Sequence, residues 1–577
     1  MTTTLDIQAP VPAAERIQAL DVIRGFALIG ILMMNIEYFN RPSADLGMGI
    51  APGQTGASLW FSYFVMYFVT GKFWTMFSLL FGMGFGVMLM RAETAQRSFL
   101  GPYLRRIAAL AVFGALHHIF LWSGDILFSY AVAAAALLII LYGRGKYILL
   151  AIVALIGLSF VPQLDWMRGI AFGIVFFGVC AWYLRSPERV KVFKAEVPVF
   201  KIVIGLIAFA AAGVIVASFL IPGLGHEEKL AMPIAGTAFL ILAFLMARFH
   251  NPADLRARRM AVGIFVFQAF MMTAMGAAEY YAPDPVRMAA LKQEQATAAV
   301  AATPPTLAAP AAAPATAAPA AAKKPVTTAE KVAAAKKERA ERMAKRKAKR
   351  DNEVRVLTKG TYAEAVAMRS DNFFQRAPGQ VGFATILIAM FLLGLWFVRS
   401  GIMANTKGHL PLFRKLAFIA LPFGIGLGLL GSQISTHAVP GTPTGWGFAS
   451  GLLMLGSLPA CLGCVGMVVL MLHSRVFAGI KLLAPFGRMA LTNYLMHSLV
   501  FSLVFFGYGL GYFGVERIWQ LACVVAMVLV QIPLSHLWLA HFRYGPMEWL
   551  WRAVTYWQLP PMRVAPVGSA GGVLRPA

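Results

Sequence analysis

The chain has 577 residues, 59% of them hydrophobic and 13% charged, with 51 Lys and Arg against 25 Asp and Glu. Soluble domains carry about 25% charged residues, so this chain lacks the polar surface of an ordinary cytosolic enzyme and reads as one whose solvent is largely lipid. The net charge of +26 fits nucleic acid, a membrane surface or membrane topology, and its placement along the chain decides among them.

A hydrocarbon core about 30 Å thick takes roughly 20 apolar residues per helix. On that rule fourteen segments qualify: 18–39, 58–90, 107–121, 126–142, 147–161, 167–184, 199–221, 231–247, 260–281, 380–398, 413–432, 447–471, 485–508 and 517–540. The second is too long for one straight span and reads as a tilted helix or one with a re-entrant part. The first apolar run is long enough to remain as an anchor, so no cleaved signal peptide is expected. With the N-terminus in the cytoplasm, 27 basic residues fall in the inner connections and tails and four (Arg41, Arg168, Lys229, Arg517) in the short outer ones. That asymmetry satisfies the positive-inside rule and places both termini inside. The predicted fold class is all-α: a polytopic integral membrane helical bundle of about fourteen transmembrane helices. Its parts are a cytoplasmic tail (1–17), an N-terminal membrane region (18–281), an extramembrane loop (282–375), a C-terminal membrane region (376–541) and a second cytoplasmic tail (542–577).

Ionisable residues within a span are costly and mark functional candidates. In the first helix, LDVIRGFALIGILMMNIEYF, Asp21 and Arg24 are three apart on one face and suit mutual neutralisation. Asn35, four turns on, returns to nearly the same face. Interhelical hydrogen bonding is the plainer account of this stripe. The stretch GKFWTMFSLLFGMGFGVML sets small residues among aromatics and suits close helix contact. Next, GALHHIFLWSGDILFSYA places His117 and His118 before a tight connection holding Trp122, Ser123, Gly124 and Asp125. Asp125 is a competent helix cap, or else the partner that orients a histidine for acid–base work.

The loop at 282–375 opens with an Ala/Pro/Thr stretch (297–322), which reads as an extended linker. A basic run at 323–350 follows, with 12 Lys and Arg against three Glu. Long loops cross regardless of charge, and the run faces away from the cytoplasm without interleaved aromatics. It therefore suggests contact with anionic lipid or an acidic envelope polymer or a spacer, and no nucleic acid. Late in the chain, FGRMALTNYLMHSLVF places Asn493 and His497 at i, i+4, with Tyr494 and Ser498 beside them. YGPMEWLWRAVTY carries Glu548 and Arg552 at i, i+4, most simply an ion pair. The four cysteines lie in apolar stretches, and the Cys461/Cys464 pair reads as small packing residues ahead of redox or metal ligation.

These clusters, in this order, resemble the YeiB-like bacterial membrane proteins (domain of unknown function 418). The matching residues are LDVIRGFALIGILMMNI, GKFWTMFSLLFGMGFGVML, the WSGDIL stretch, GTYAEAVAMR (Tyr362, Glu364, Arg369), MFLLGLWFVRSGI, GRMALTNYLMHS and YGPMEWLWR. That family is similar to the transmembrane acyltransferases, which move an acyl group from a cytoplasmic thioester to a hydroxyl or amine at or beyond the outer face. The resemblance implies a histidine base and an amide side chain that helps hold the oxyanion. Onto this sequence it carries His117 as base, Asp125 as its orienting partner and Asn35 as the donor. The lysosomal acetyltransferase branch keeps its histidine close behind the first-helix asparagine. This chain has none between Asn35 and Trp60, so the role passes to His117. Asp21, Arg24, Trp122, Asn493 and His497 are the substrate-binding candidates. Acyl-CoA is the implied donor substrate, no tightly bound cofactor or metal is expected, and the location is the bacterial inner (plasma) membrane. The alternative is a transporter or exporter of a small solute, which the span count fits although no internal repeat is evident.

Overall fold

Backbone polar groups in lipid must be satisfied internally, which leaves helices as the economical spanning structure for apolar runs of this length. The computed structural model describes residues 17–45, 50, 53–185, 189–192, 195–247, 253–283, 288–289, 328–436 and 445–564. The Ala/Pro/Thr stretch, the start of the basic run and the ends of both tails lie outside these residues.

The helices in chain order are α1 (Gln18–Asn40), α2 (Gly56–Phe64), α3 (Lys72–Thr94), α4 (Leu100–Leu116), α5 (Leu127–Tyr142), α6 (Gly145–Leu158), α7 (Met167–Arg185), α8 (Val199–Leu220), α9 (His226–Ala247) and α10 (Ala253–Tyr281). After the loop come α11 (Thr328–Lys359), α12 (Tyr362–Arg376), α13 (Gln380–Arg399), α14 (Leu410–Lys415), α15 (Leu421–Thr436), α16 (Trp446–His473), α17 (Leu483–Arg488), α18 (Ala490–Phe505), α19 (Arg517–His541) and α20 (Pro546–Tyr556). The sheet among the described residues is one short antiparallel hairpin, Arg189–Val192 with Ala195–Pro198. Among the described residues, eleven helices are long and apolar enough to cross a membrane, and three shorter apolar ones, α5, α6 and α18, occupy the remaining segments expected from the sequence.

The long second segment is a broken helix. α2 runs into a π turn at Val65–Val69, and the chain breaks before α3 at Gly71, whose φ of +81° a side-chain-bearing residue rarely adopts. The break frees carbonyls, and buried Lys72 turns back to donate from Nζ to the carbonyls of Tyr67 (2.6 Å) and Thr70 (3.3 Å). A lysine in an apolar stretch is tolerated here because its charge meets these dipoles.

The centre of the bundle is set by close helix crossings. A Cβ on Gly82 of α3 would lie 2.3 Å from the Phe391 carbonyl oxygen of α13, and one on Gly394 of α13 would lie 2.2 Å from that of Leu79. Only glycine lets these two backbones meet. α1 lies against α17 in the same way, through Gly25 and Gly487. Around this centre α6 and α8 leave most of their apolar side chains exposed, the surface that a lipid-facing helix presents. Cys461 and Cys464 are free thiols buried in α16.

Candidate functional site

α4 ends in a π turn, His117–Leu121, and the four residues Trp122–Asp125 turn the chain back into α5. The turn sets His117 Nδ1 2.8 Å from Asp125 Oδ1. The other carboxylate oxygen, Oδ2, accepts from the Phe128 backbone N–H at 2.8 Å and so satisfies the first turn of α5. One carboxylate thus caps the helix and contacts the histidine at once. On the far side of the ring, His117 Nε2 lies 2.8 Å from Ser498 Oγ of α18, 381 positions away. The side chains of His117 and Asp125 are each 1% exposed. The tautomer with its proton on Nδ1 would donate to Asp125 and turn the Nε2 lone pair to the serine hydroxyl.

Packing holds this arrangement. Trp122 stacks on Phe39 of α1 at 4.4 Å and meets the His117 ring edge-on at 6.1 Å. A Cβ on Gly124 would strike the Trp122 ring. The motif GTYAEAVAMR supplies a brace from the segment between the two apolar regions. Thr361 and Glu364 form a capping box at the start of α12, and hydrogen bonds from Thr361 and Arg355 hold the Glu364 carboxyl below the ordinary range. Tyr362 donates to the Phe120 carbonyl at 2.9 Å, and buried Arg369 donates to the carbonyls of Ile119 (2.9 Å) and Phe120 (3.3 Å). These carbonyls end the π turn of His117, so α12 fixes its position. α11 is tied down through Glu353 to Ser43 (2.8 Å) and Arg350 to Asp45 (2.8 Å).

Two cavities lie near the histidine, although His117, Asp125 and Ser498 line neither. The larger, about 780 Å³, lies among α1, α3, α4, α18 and α20. Arg24, Arg91, Arg97, Arg106, Arg488, Arg543 and Arg552 line it, with Asp21 and Glu548 as its carboxylates. Ile126, Tyr130 and Tyr494 are among its remaining walls. The Tyr494 ring is 5.1 Å from that of His117, and its buried hydroxyl has no hydrogen-bond partner. The smaller cavity, about 190 Å³, is lined by Tyr38, Trp122, Ser123, Gly124, Glu353, Arg369 and Arg376 among others. His117 therefore touches one wall residue of each: Tyr494 on one side and Trp122 on the other.

Asp21 and Arg24 form the expected pair at 2.8 Å and line the large cavity. Asn35 is half-buried and lines neither cavity. The buried amide at the C-terminal end of α1 is Asn40, which bonds the backbone of Gly514 and Val515. Asn493 and His497 sit in a separate network. His497 Nε2 meets Gln531 Oε1 at 2.7 Å, and Asn493 donates to Ser535 Oγ and the Phe486 carbonyl at 3.1 Å each, which ties α18 to α19 and α17. Glu548 takes a partner other than Arg552. It accepts from the Leu491 and Thr492 backbones (2.7 and 3.1 Å) and from Thr492 Oγ1 (2.6 Å), capping α18, while Arg552 lies over the Tyr544 ring. Sequence reasoning passed over Ser498 and Tyr494, although they share the i, i+4 spacing of Asn493 and His497.

The fold and site define a multi-pass helical membrane protein with a buried His–Asp–Ser cluster. Residues 397–558 match the family model described as a protein of unknown function (DUF418). The uncharacterized protein YxaH of Bacillus subtilis (strain 168) is 24% identical over 561 residues, covering 95% of this chain and 97% of the relative. The uncharacterized protein YeiB of Escherichia coli (strain K12) is 32% identical over 205 residues, covering 33% of this chain and 50% of the relative. An uncharacterized 39.9 kDa protein in the amylase 3′ region of Bacillus acidopullulyticus is 31% identical over 193 residues, covering 33% and 52%. No solved structure matches. The likeness to YeiB-like proteins of the DUF418 family, read from the sequence motifs, is borne out. The matched segment contains Ser498, Tyr494 and Glu548; His117 and Asp125 lie outside it.

Proposed function

We propose that the chain is an acyltransferase-like protein of the bacterial inner membrane. It has fourteen spans and cytoplasmic termini, and it moves an acyl group from a thioester to an envelope or small-molecule acceptor. The observation that carries this reading is the buried His117–Asp125 pair, whose ring neighbours Tyr494 and Trp122 each line a cavity. Asp125 fixes the tautomer that a general base needs. The arginine-lined cavity fits a polyanionic donor such as acyl-CoA, whose phosphates suit guanidinium forks. Arg488 Nε is buried there without a hydrogen-bond partner. The smaller cavity then serves the acceptor, beneath α11 and α12. The basic face of α11 suits anionic headgroups or an acidic envelope polymer outside the bilayer. The test is acyl-CoA binding and transfer by purified wild type and His117→Ala in parallel; binding lost to neither and transfer lost only in the variant is expected. A wild type that neither binds nor turns over any acyl-CoA sinks the reading.

The second reading, a solute transporter, rests on the broken helix at Thr70–Gly71 with buried Lys72, since discontinuous helices build transport sites. Solute flux into proteoliposomes without covalent change to the solute favours it.

A further inference from the structure

We propose that Ser498 is the acyl acceptor of a first half-reaction, so that transfer runs through an acyl-serine intermediate. The proposal rests on the acyltransferase reading and goes beyond its direct base-catalysed transfer. Both nitrogens of His117 are already committed: Nδ1 to Asp125 and Nε2 to Ser498, each at 2.8 Å. The lone pair that a general base needs therefore points at a serine hydroxyl of the protein itself. A nucleophile, a base within hydrogen-bond reach and a third group orienting that base form the activated-nucleophile arrangement found on unrelated folds.

A second observation places the reacting carbonyl. Tyr494 stands one helical turn before Ser498 on α18, and its ring lies against His117. It lines the large cavity, and its buried hydroxyl donates to no acceptor. A buried phenolic O–H without an acceptor, on the helix that carries the nucleophile, is a donor awaiting an oxyanion.

The chemistry balances. Ser498 Oγ attacks the thioester carbonyl while His117 Nε2 takes its proton, and Asp125 stabilises the imidazolium. The tetrahedral intermediate collapses with cleavage of the C–S bond. His117 returns the proton to the leaving thiolate, giving free thiol and an ester on Ser498. An acceptor hydroxyl or amine entering past Trp122 then loses its proton to His117 and attacks that ester. The Ser498 C–O bond to the acyl group breaks, and His117 reprotonates the serine. Donor and acceptor occupy opposite sides of one side chain and need never meet.

The experiment uses the full chain in nanodiscs. It is incubated with radiolabelled acetyl-, succinyl- and palmitoyl-CoA, acid-quenched and peptide-mapped; a parallel sample receives an alkyl fluorophosphonate. The expected result is an adduct on Ser498 matched by release of free CoA, and fluorophosphonate labelling of the same residue. Both are lost in Ser498→Ala, whose transfer falls by about a thousandfold or more. Ser498→Cys guards against a folding artefact: it elutes as the wild type does and traps a thioester cleaved by neutral hydroxylamine. Transfer undiminished in Ser498→Ala, or an adduct on another residue, overturns the proposal and leaves the acyltransferase reading standing. Fluorophosphonate labelling of Ser498 without turnover of any acyl-CoA supports the nucleophile and sinks acyl-CoA as donor. Neither labelling nor turnover in the wild type removes both.

Discussion

Asp125→Asn separates the structural from the chemical role of one carboxylate. In the wild type Oδ1 meets His117 Nδ1 and Oδ2 meets the Phe128 N–H, each at 2.8 Å. An amide has one acceptor and one donor end. If its oxygen stays on Phe128, its NH₂ faces Nδ1, and the imidazole must move its proton to Nε2. Every hydrogen bond is then kept, but Nε2 donates to Ser498 and can no longer take a proton from it. The reverse placement sets the NH₂ against the Phe128 N–H, two donors in a buried site, and is disfavoured. Stability should fall by only about 1 kcal/mol, the difference between a charged and a neutral hydrogen bond. Transfer should fall about 10⁴-fold, as for the wrong tautomer in Ser–His–Asp enzymes, or about 5.4 kcal/mol of barrier. Asp125→Ala strands both donors at about 1–3 kcal/mol each, roughly 2–6 kcal/mol in all. The assay pairs acyl-CoA turnover in nanodiscs with thermal unfolding followed by tryptophan fluorescence. Asp125→Asn that keeps turnover within threefold of the wild type, or loses as much stability as Asp125→Ala, refutes the assignment.

Gly82→Leu forces α3 from α13, because even a Cβ there sits 2.3 Å from the Phe391 carbonyl oxygen. It should cost about 1–3 kcal/mol by overpacking, and an unchanged melting temperature would contradict the crossing. Glu548→Ala uncaps α18 and should destabilise by roughly 2–5 kcal/mol, because it leaves two buried N–H groups and the Thr492 hydroxyl without their acceptor. Hydrogen exchange at Leu491 and Thr492 should rise in step, and protection there equal to the wild type's counts against the cap. Arg488→Ala should raise the KM for acyl-CoA about 10- to 150-fold with kcat little changed, the value of one charged hydrogen bond to phosphate. Equal loss in kcat and kcat/KM instead places Arg488 in the transition state rather than at the donor's phosphates.

Much of the fold is legible in the sequence because lipid reduces the problem to apolar length. Each of the fourteen apolar segments is helical, and three of them are shorter than a full span. Pairs of near neighbours in the chain were legible too: Asp21 with Arg24 on one helix face, and His117 with Asp125 across a connection of five residues. Helical spacing fixes the first, since three or four residues make one turn, and the tightness of the connection favours the second.

What spacing leaves open is which faces meet, and there the tertiary structure decides. Glu548 and Arg552 share a helix face, yet the buried N-terminus of α18 offers three donors and takes the carboxylate, so the local pair does not form. Asn35 continues the stripe of Asp21, but Asn40, one turn further, reaches the backbone of the loop at Gly514 and Val515. On α18 two polar pairs stand side by side, Asn493 with His497 and Tyr494 with Ser498, and nothing in their spacing ranks them. The crossing of α18 turns the first pair toward Gln531 and the second toward His117. The sequence alone determined an apolar, multi-helix chain of membrane type and a histidine close to a carboxylate. Only the tertiary structure joined that histidine to a serine 381 residues away and gathered seven arginines, five on five different helices and two in connections, around one cavity. A helix face is a local property of the chain, whereas its partner is chosen by packing over the whole bundle.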